Sequence, residues 1–508
     1  MPPNFCNTMP KFCTLPRIRR LGTLLVFLLM LLVGVDPVVM EGASQRSKSR
    51  TGQSKSKKAS ASKKKVGSSG KRTTKQSPSK RSRRARRAKV VPLSNLSLLR
   101  ERELADGIRY SVFRSNGSKP VMIHAISMDR TIAGNAIRLV KGEDHANGLE
   151  RLGDMFRRYD SADVNDPHAI VNGNFWRAVR NTMIGPCVID GEVVELPSYK
   201  RWTSGFFDVR GQLYIDSLML RGTVTLRGVT LPVSTVNRRQ DSGVVVYNNF
   251  GGTTIPHVNT KEVERDFAEA VKDSVFRDRD STEIALTKDL LRAEIARAQR
   301  EANVEFPMVK VRVRYLRSPS VNMPLPCQVL GVDTGAVQMP LRGAVVSFPR
   351  TMLNGIWPKA GDTLVIRYTT NKHPNVRFMN AVCGTPRLVR AGVAKHEAQF
   401  EGSTGRRFIE DNLARTAIGT DRSGNRIIIA AIQADRPENG THGATLQQTA
   451  VIMSLLGCYD AMNLDGGGST GMVIDGDHVF FDGPDPLTRR VGLGVAVVRL
   501  SKILRGPR

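Results

Sequence analysis

From residue 108 onward the chain consists of short apolar runs separated by turn residues, and that spacing restricts it to a fold built mainly of strands. Residues 108–114, 121–128 and 136–140 alternate in polarity or are rich in β-branched side chains. Residues 169–176 run into the turn-like Asn172-Gly173-Asn174, and further short strands are predicted over 188–194, 213–215, 224–226 and 244–247. Residues 260–303 break the pattern. They are densely charged and contain neither Pro nor Gly, so they read as one long helix or a helical hairpin inserted in a β-rich body. Alternation resumes over 309–315, 364–368 and 381–383, and no internal repeat is present. The expected fold class is α+β, with mixed β-rich sheets and packed helices in a single large domain over 104–500, carrying the charged insertion at about 260–303.

The last hundred residues are the most specific. Residues 427–432 are continuously apolar, as a buried strand requires. Thr445 and Gln448 have the spacing of a capping box, Leu446, Ala450 and Met453 share a helical face, and Gly457 stands where a helix-ending glycine belongs. A strand over 459–464 then delivers Asp465-Gly466-Gly467-Gly468-Ser469-Thr470. Residues 472–474 and 478–481 flank the hairpin turn Asp475-Gly476-Asp477, and 491–498 close the sheet.

Charge divides the chain. The whole carries a net +31, but residues 44–90 alone hold 19 Lys and Arg and no acid. From Val91 onward 54 basic residues face 44 acidic ones, so the body is not the uniformly basic surface of a nucleic-acid-binding protein. Residues 44–90 lack aromatics and are expected to be a disordered linker that adheres to an anionic polymer. Specific nucleic-acid binding is disfavoured, because nothing there is placed to stack on bases. Before it, Arg17, Arg19 and Arg20 precede the 15-residue uncharged run 21–35, so residues 1–43 are expected to be a signal peptide or, if uncleaved, an N-terminal membrane anchor. Export to a secreted, periplasmic or cell-surface location follows from that expectation.

Four cysteines lie in the body, Cys187, Cys327, Cys383 and Cys458, with no CxxC pair to suggest zinc. In an exported body they could form up to two disulfides; buried free thiols are the alternative. Asp475-Gly476-Asp477 reads as a turn rather than a calcium site, and no metal or other cofactor is expected.

Three segments carry the candidate chemistry. In Asn463-Leu464-Asp465-Gly466-Gly467-Gly468-Ser469, a polar pair leaves a buried strand ahead of glycines whose amides can converge on an anion. Arg415, leading into Thr416-Ala417-Ile418-Gly419, can present its planar fork to a phosphate. Asn172-Gly173-Asn174-Phe175 places an amide beside a glycine. These segments, with Gly384-Thr385-Pro386-Arg387-Leu388-Val389 and Gly443-Ala444-Thr445-Leu446, resemble in order and spacing the phosphodiester glycosidase family.

The resemblance implies a hydrolase that cleaves a sugar-1-phosphodiester of the α-N-acetylglucosaminyl-phosphate type, freeing the sugar and leaving a phosphomonoester. Asp465, Arg415 and Asp435 are the implied catalytic residues. Asn172, Gly173, Asn463, Gly466, Gly467, Gly468, Ser469, Thr470 and His442 are expected around the carbohydrate phosphodiester. Relatives carry Asp-Gly-Arg where this chain has Ala434-Asp435-Arg436, a glycine where it has Asn174, and Arg-Pro-Val where it has Arg489-Arg490-Val491. The departure at Ala434 leaves a non-catalytic polysaccharide-binding protein as the alternative.

Overall fold

The computed structural model describes residues 93–160, 165–177, 181–196, 201–238, 240, 242–255, 308–334, 337–434, 438, 440–479 and 489–500. All of them fall within one unit, Arg86–Arg508. The signal or anchor segment, the basic linker, the charged insertion and Asp435 lie outside the described residues.

The apolar run at 427–432 shows how the centre is assembled. Arg426–Ile432 is an inner strand of an eight-stranded sheet, paired antiparallel with Met122–Asp129 on one side and Arg415–Thr420 on the other. Because side chains alternate across a strand, Ile427, Ile429 and Ala431 enter one hydrophobic core while Ile428, Ala430 and Ile432 enter another. Burial on both faces is what makes the run continuously apolar rather than alternating. The same sheet continues through Asp460–Asn463 and Arg387–Arg390 to its edge at Val393–Ala394, and its other edge is Leu96–Ala105.

A five-stranded sheet in which Leu493–Leu500 lies between Asn165–Asn172 and Asn135–Lys141 packs on this centre through the shared core. A second five-stranded sheet includes Cys187–Ile189, Glu192–Glu195 and Phe378–Cys383. The remaining large element was not anticipated. Leu220–Leu226, Val229–Val236, Val244–Tyr247, Gly343–Pro349, Met308–Tyr315, Pro324–Asp333 and Thr363–Thr370 close into a barrel around Val224, Val311, Val346 and Ile366. The expected insertion at 260–303 therefore falls between two barrel strands in sequence.

Helices are fewer than an α+β class implies. Among the described residues the α-helices are α1 (Leu152–Asp160), α2 (Arg406–Glu410) and α3 (Leu446–Leu455). The architecture is strand-rich, barrel and sheets, with helices as minor packing elements. α3 begins and ends as its sequence specifies. Thr445 Oγ1 accepts from the Gln448 amide, and the Gln448 side chain accepts from the Thr445 amide. At the other end Gly457 takes φ +96°, its amide donates to Ser454 O, and the Cys458 amide donates to Met453 O, the paired bonds of a Schellman motif. Cys187, Cys327, Cys383 and Cys458 are buried free thiols, so the disulfide alternative is not formed.

Candidate active site

Two sheets end at the same place. Asn463 terminates Asp460–Asn463 in the large sheet, and Asn172 terminates Asn165–Asn172 in the sheet beside it. Asn172 is wholly buried and uses both ends of its amide. Nδ2 donates to Asp465 O at 2.7 Å, while Oδ1 accepts from Thr416 Oγ1 at 2.6 Å and from the Gly471 amide at 3.3 Å. It thus ties together both sheets and the two ends of the glycine loop, rather than offering a free amide to a substrate. Gly173 accepts from the Asp465 amide, and a Cβ there would press on Leu493 at 3.0 Å, which explains the glycine without backbone strain. Asn174, which stands where relatives carry a glycine, is a buried staple: Oδ1 accepts from the Cys383 amide and Nδ2 donates to Pro186 O.

Asn463 is equally enclosed. Its amide group donates to Thr385 O at 2.8 Å and Leu464 O at 2.7 Å, and its backbone N–H donates to Pro386 O. Gly384 makes that approach feasible, since a Cβ would stand 2.0 Å from Asn463 O. Beneath the same turn lies Glu401, a buried carboxylate that sequence reasoning missed. It accepts from Thr203 Oγ1 at 2.6 Å, the Thr203 amide at 3.1 Å and the Arg387 amide at 2.6 Å.

Asp465 follows, only 1% exposed, with Oδ1 accepting from the Gly466 amide at 2.9 Å. Burial pushes its carboxyl up to about 7, against the opposing pull of Ser469, the Gly466 amide and the Arg489 charge. Ser469 lies near enough to exert that pull although its Oγ reaches no partner at hydrogen-bond geometry. Asn463 Oδ1 and Thr470 Oγ1 are likewise buried without a hydrogen-bond partner. Three such atoms thus fall within residues 463–470, the stretch that carries this raised carboxyl.

Two of the three glycine amides anticipated as an anion cradle are engaged within the protein. The Gly466 amide is committed to Asp465 and the Gly467 amide to Ala414 O. What the glycines supply is close approach. Gly467 adopts φ +55°, and a Cβ on Gly468 would sit 3.0 Å from Cζ of Arg489. The Arg489 guanidinium therefore rests directly on the loop. Its segment is held by reciprocal backbone bonds between Val491 and Glu150. Sequence reasoning noticed Arg489 only as part of a motif lacking its proline.

Arg415 is placed otherwise than expected. It is 1% exposed, Nε donates to Ala444 O at 2.9 Å, Nη2 donates to Phe408 O at 2.7 Å, and the guanidinium lies over the Phe408 ring. Those bonds lock α2 and the approach to α3 onto the strand that lies beside the loop. His442 is half-buried, with its backbone amide on Pro120 O.

Residues 338–498 match the phosphodiester glycosidase family model, so the resemblance carried by the motifs is shown over that stretch. No curated protein matches the chain significantly. Among solved structures, the chain is similar to a hypothetical protein from Synechocystis, with TM-score 0.54 and 18% identity over 80% of this chain and 64% of that one. It thus spans just under two thirds of that protein's length, and the likeness is one of fold. It also matches a Burkholderia pseudomallei K96243 protein provisionally described as exported, with TM-score 0.49 and 17% identity over 75% of this chain and 74% of that one. A third match is the catalytic domain of zebrafish N-acetylglucosamine-1-phosphodiester alpha-N-acetylglucosaminidase, with TM-score 0.38 and 10% identity over 79% of this chain and 87% of that one.

Proposed function

We propose that this protein is an exported glycosidase that hydrolyses a sugar-1-phosphodiester in a glycan or envelope polysaccharide, with Asp465 as its acid–base group. The observation that carries this reading is the buried Asp465 carboxyl, raised to about 7, close to Arg489 and on the same loop as the unmatched Asn463 Oδ1, Ser469 Oγ and Thr470 Oγ1. A carboxyl titrating near neutrality suits proton transfer better than a permanently ionised one.

The chemistry asks little protonation of the leaving group, because a phosphomonoester already departs as a stable anion. Its growing charge needs a nearby cation, and Arg489 is the side chain best placed to supply one. Asp465, when ionised, would take a proton from the attacking water or stabilise positive charge developing at the anomeric carbon. Asn463, Ser469 and Thr470 have unmatched atoms that sugar hydroxyls would satisfy. Asn172, Gly173 and Arg415 position the loop, and the glycines let Arg489 and the substrate approach. His442 is assigned to the rim, and Asp435 keeps the role implied by the family resemblance.

The burial of Asp465 favours a second reading, in which the fold is retained for polysaccharide binding without hydrolysis. One assay separates them. The purified chain is incubated with an α-N-acetylglucosaminyl phosphodiester, and free sugar and phosphomonoester are measured. Turnover that disappears in Asp465→Asn supports the enzyme; glycan binding without turnover selects the second reading.

A further inference from the structure

Apart from Arg415, the largest fully enclosed side chain among the described residues is that of Lys141, only 1% exposed. Lys141 ends the strand Asn135–Lys141 opposite Leu493, and its Nζ donates to Gly148 O at 2.7 Å. Burial lowers its amine to about 8, so at neutral pH it still carries a charge that is costly to hold out of water. That charge closes a loop. Residues 142–150 leave the chain beside Leu493 and return to the same arm at Val491. The Gly142 amide donates to Gly492 O at 3.0 Å, and Glu150 exchanges backbone bonds with Val491 at 2.8 and 3.0 Å. Inside the loop Glu143 and Asp144 take φ +54° and +48°, which residues with a side chain keep only where neighbours impose it. Arg158 of α1 is such a neighbour. Its Nη2 donates to Glu150 Oε2 and to Lys141 O, both at 2.8 Å, and its Nη1 donates to Asp144. Glu150 Oε2 also accepts from the Glu143 amide at 2.9 Å.

We propose that Lys141 and Arg158 are positioning residues for Arg489, holding residues 142–150 as a bracket that fixes its guanidinium against the glycine loop beside Asp465. This rests on the reading of Arg489 as the cation of the site. Arg489 stands two residues before Val491, so the bonds to Glu150 and Gly142 anchor the backbone from which its side chain reaches Gly468. The bracket also separates two adjacent arginines. Arg490 lies 3.8 Å from Glu143 and stays exposed, while Arg489 rests on Gly468. Beyond Val491 the arm is tied to the other side of the site, where the Gly173 amide donates to Leu493 O at 2.8 Å. Such precision matters to a long, flexible side chain, since a displacement of about 1 Å at a reacting centre can cost roughly 10²-fold in rate.

The full chain, isotope-labelled at the aspartate carboxyls, is titrated by NMR, with Asp465→Asn identifying the Asp465 signal. Arg489 lowers the value of that carboxyl, alongside Ser469 and the Gly466 amide, so the titration reports where the guanidinium stands. Asp465 should titrate at higher pH in Arg489→Ala, and also in Lys141→Met and Arg158→Gln. Neither bracket variant should raise it further once Arg489→Ala is present, a dependence that a general loss of stability would not produce. With an α-N-acetylglucosaminyl phosphodiester, Lys141→Met and Arg158→Gln should each lower kcat/KM about tenfold or more, and those losses should disappear in the Arg489→Ala background. A titration unchanged in Arg489→Ala, or in both bracket variants, overturns the proposal, as do rate losses that add fully to that of Arg489→Ala. Absence of turnover in the parent sinks the proposed function, and the titrations then decide the bracket by themselves. If one variant does not fold the other decides; if neither folds, both residues serve folding and the proposal falls.

Discussion

Asp465 is held in an environment that prefers it protonated, and this has opposite consequences for stability and for chemistry. Its folded value of about 7 lies above the value of about 3.9 expected in the unfolded chain. Stability from this group is therefore fully present below pH ~4 and is lost as pH rises through 7, a loss on the order of 4 kcal/mol. Asp465→Asn keeps the acceptor for Gly466 but cannot ionise. It should melt at or above the parent at pH 8, with the gap closing toward pH 5, while hydrolysis falls by about 10³-fold or more. Thermal melts across that pH range, alongside the sugar-release assay, check both halves. Arg489 lowers the Asp465 value, so Arg489→Ala should move the acidic limb of the pH–rate profile to higher pH, besides reducing kcat/KM by roughly 10²-fold. Asn172→Ala orphans Thr416 Oγ1, the Gly471 amide and Asp465 O together, and should cost about 2–4 kcal/mol in urea denaturation. At this scale the sequence disclosed which residues meet but not how they are spent. The spacing of Asn172, Asn463 and Asp465 was readable. That Asn172 binds backbone, and that Arg415 turns from the loop toward Phe408, depends on side-chain direction, which no motif encodes.

Among the elements, legibility followed locality. The start and end of α3 could be read from a few adjacent residues, because capping bonds join positions three to five apart. Thr445→Ala should cost about 1 kcal/mol of stability, measured by denaturant unfolding. The central strand Arg426–Ile432 was readable too, since burial on both faces leaves a continuous apolar run. The barrel was not. Leu220–Leu226 alternates as any half-buried strand does, and closure depends on its pairing with Thr363–Thr370, a partner remote in sequence. The turn at Gly384 lies between these cases. Its motif was visible, but the reason for the glycine, contact with Asn463 O, is a tertiary fact. Gly384→Ala should lower stability by roughly 3 kcal/mol or more, seen as a marked drop in melting temperature or loss of soluble protein.

Over the whole molecule, the segment bearing the family signature does not coincide with the units of folding. Residues 338–498 contain Asp465 and Arg489 but only two complete strands of the barrel, Gly343–Pro349 and Thr363–Thr370. They also lack Asn172 and the Asn165–Asn172 strand that anchors the loop. Seen as inheritance, the stretch that the family model recognises is a fragment whose working shape is maintained by sequence outside it. Drift in the N-terminal half can therefore silence the C-terminal half without altering one residue of the matched stretch 338–498. Variants collected for lost activity should map as often to the neighbours of Asn172 as to the glycines themselves.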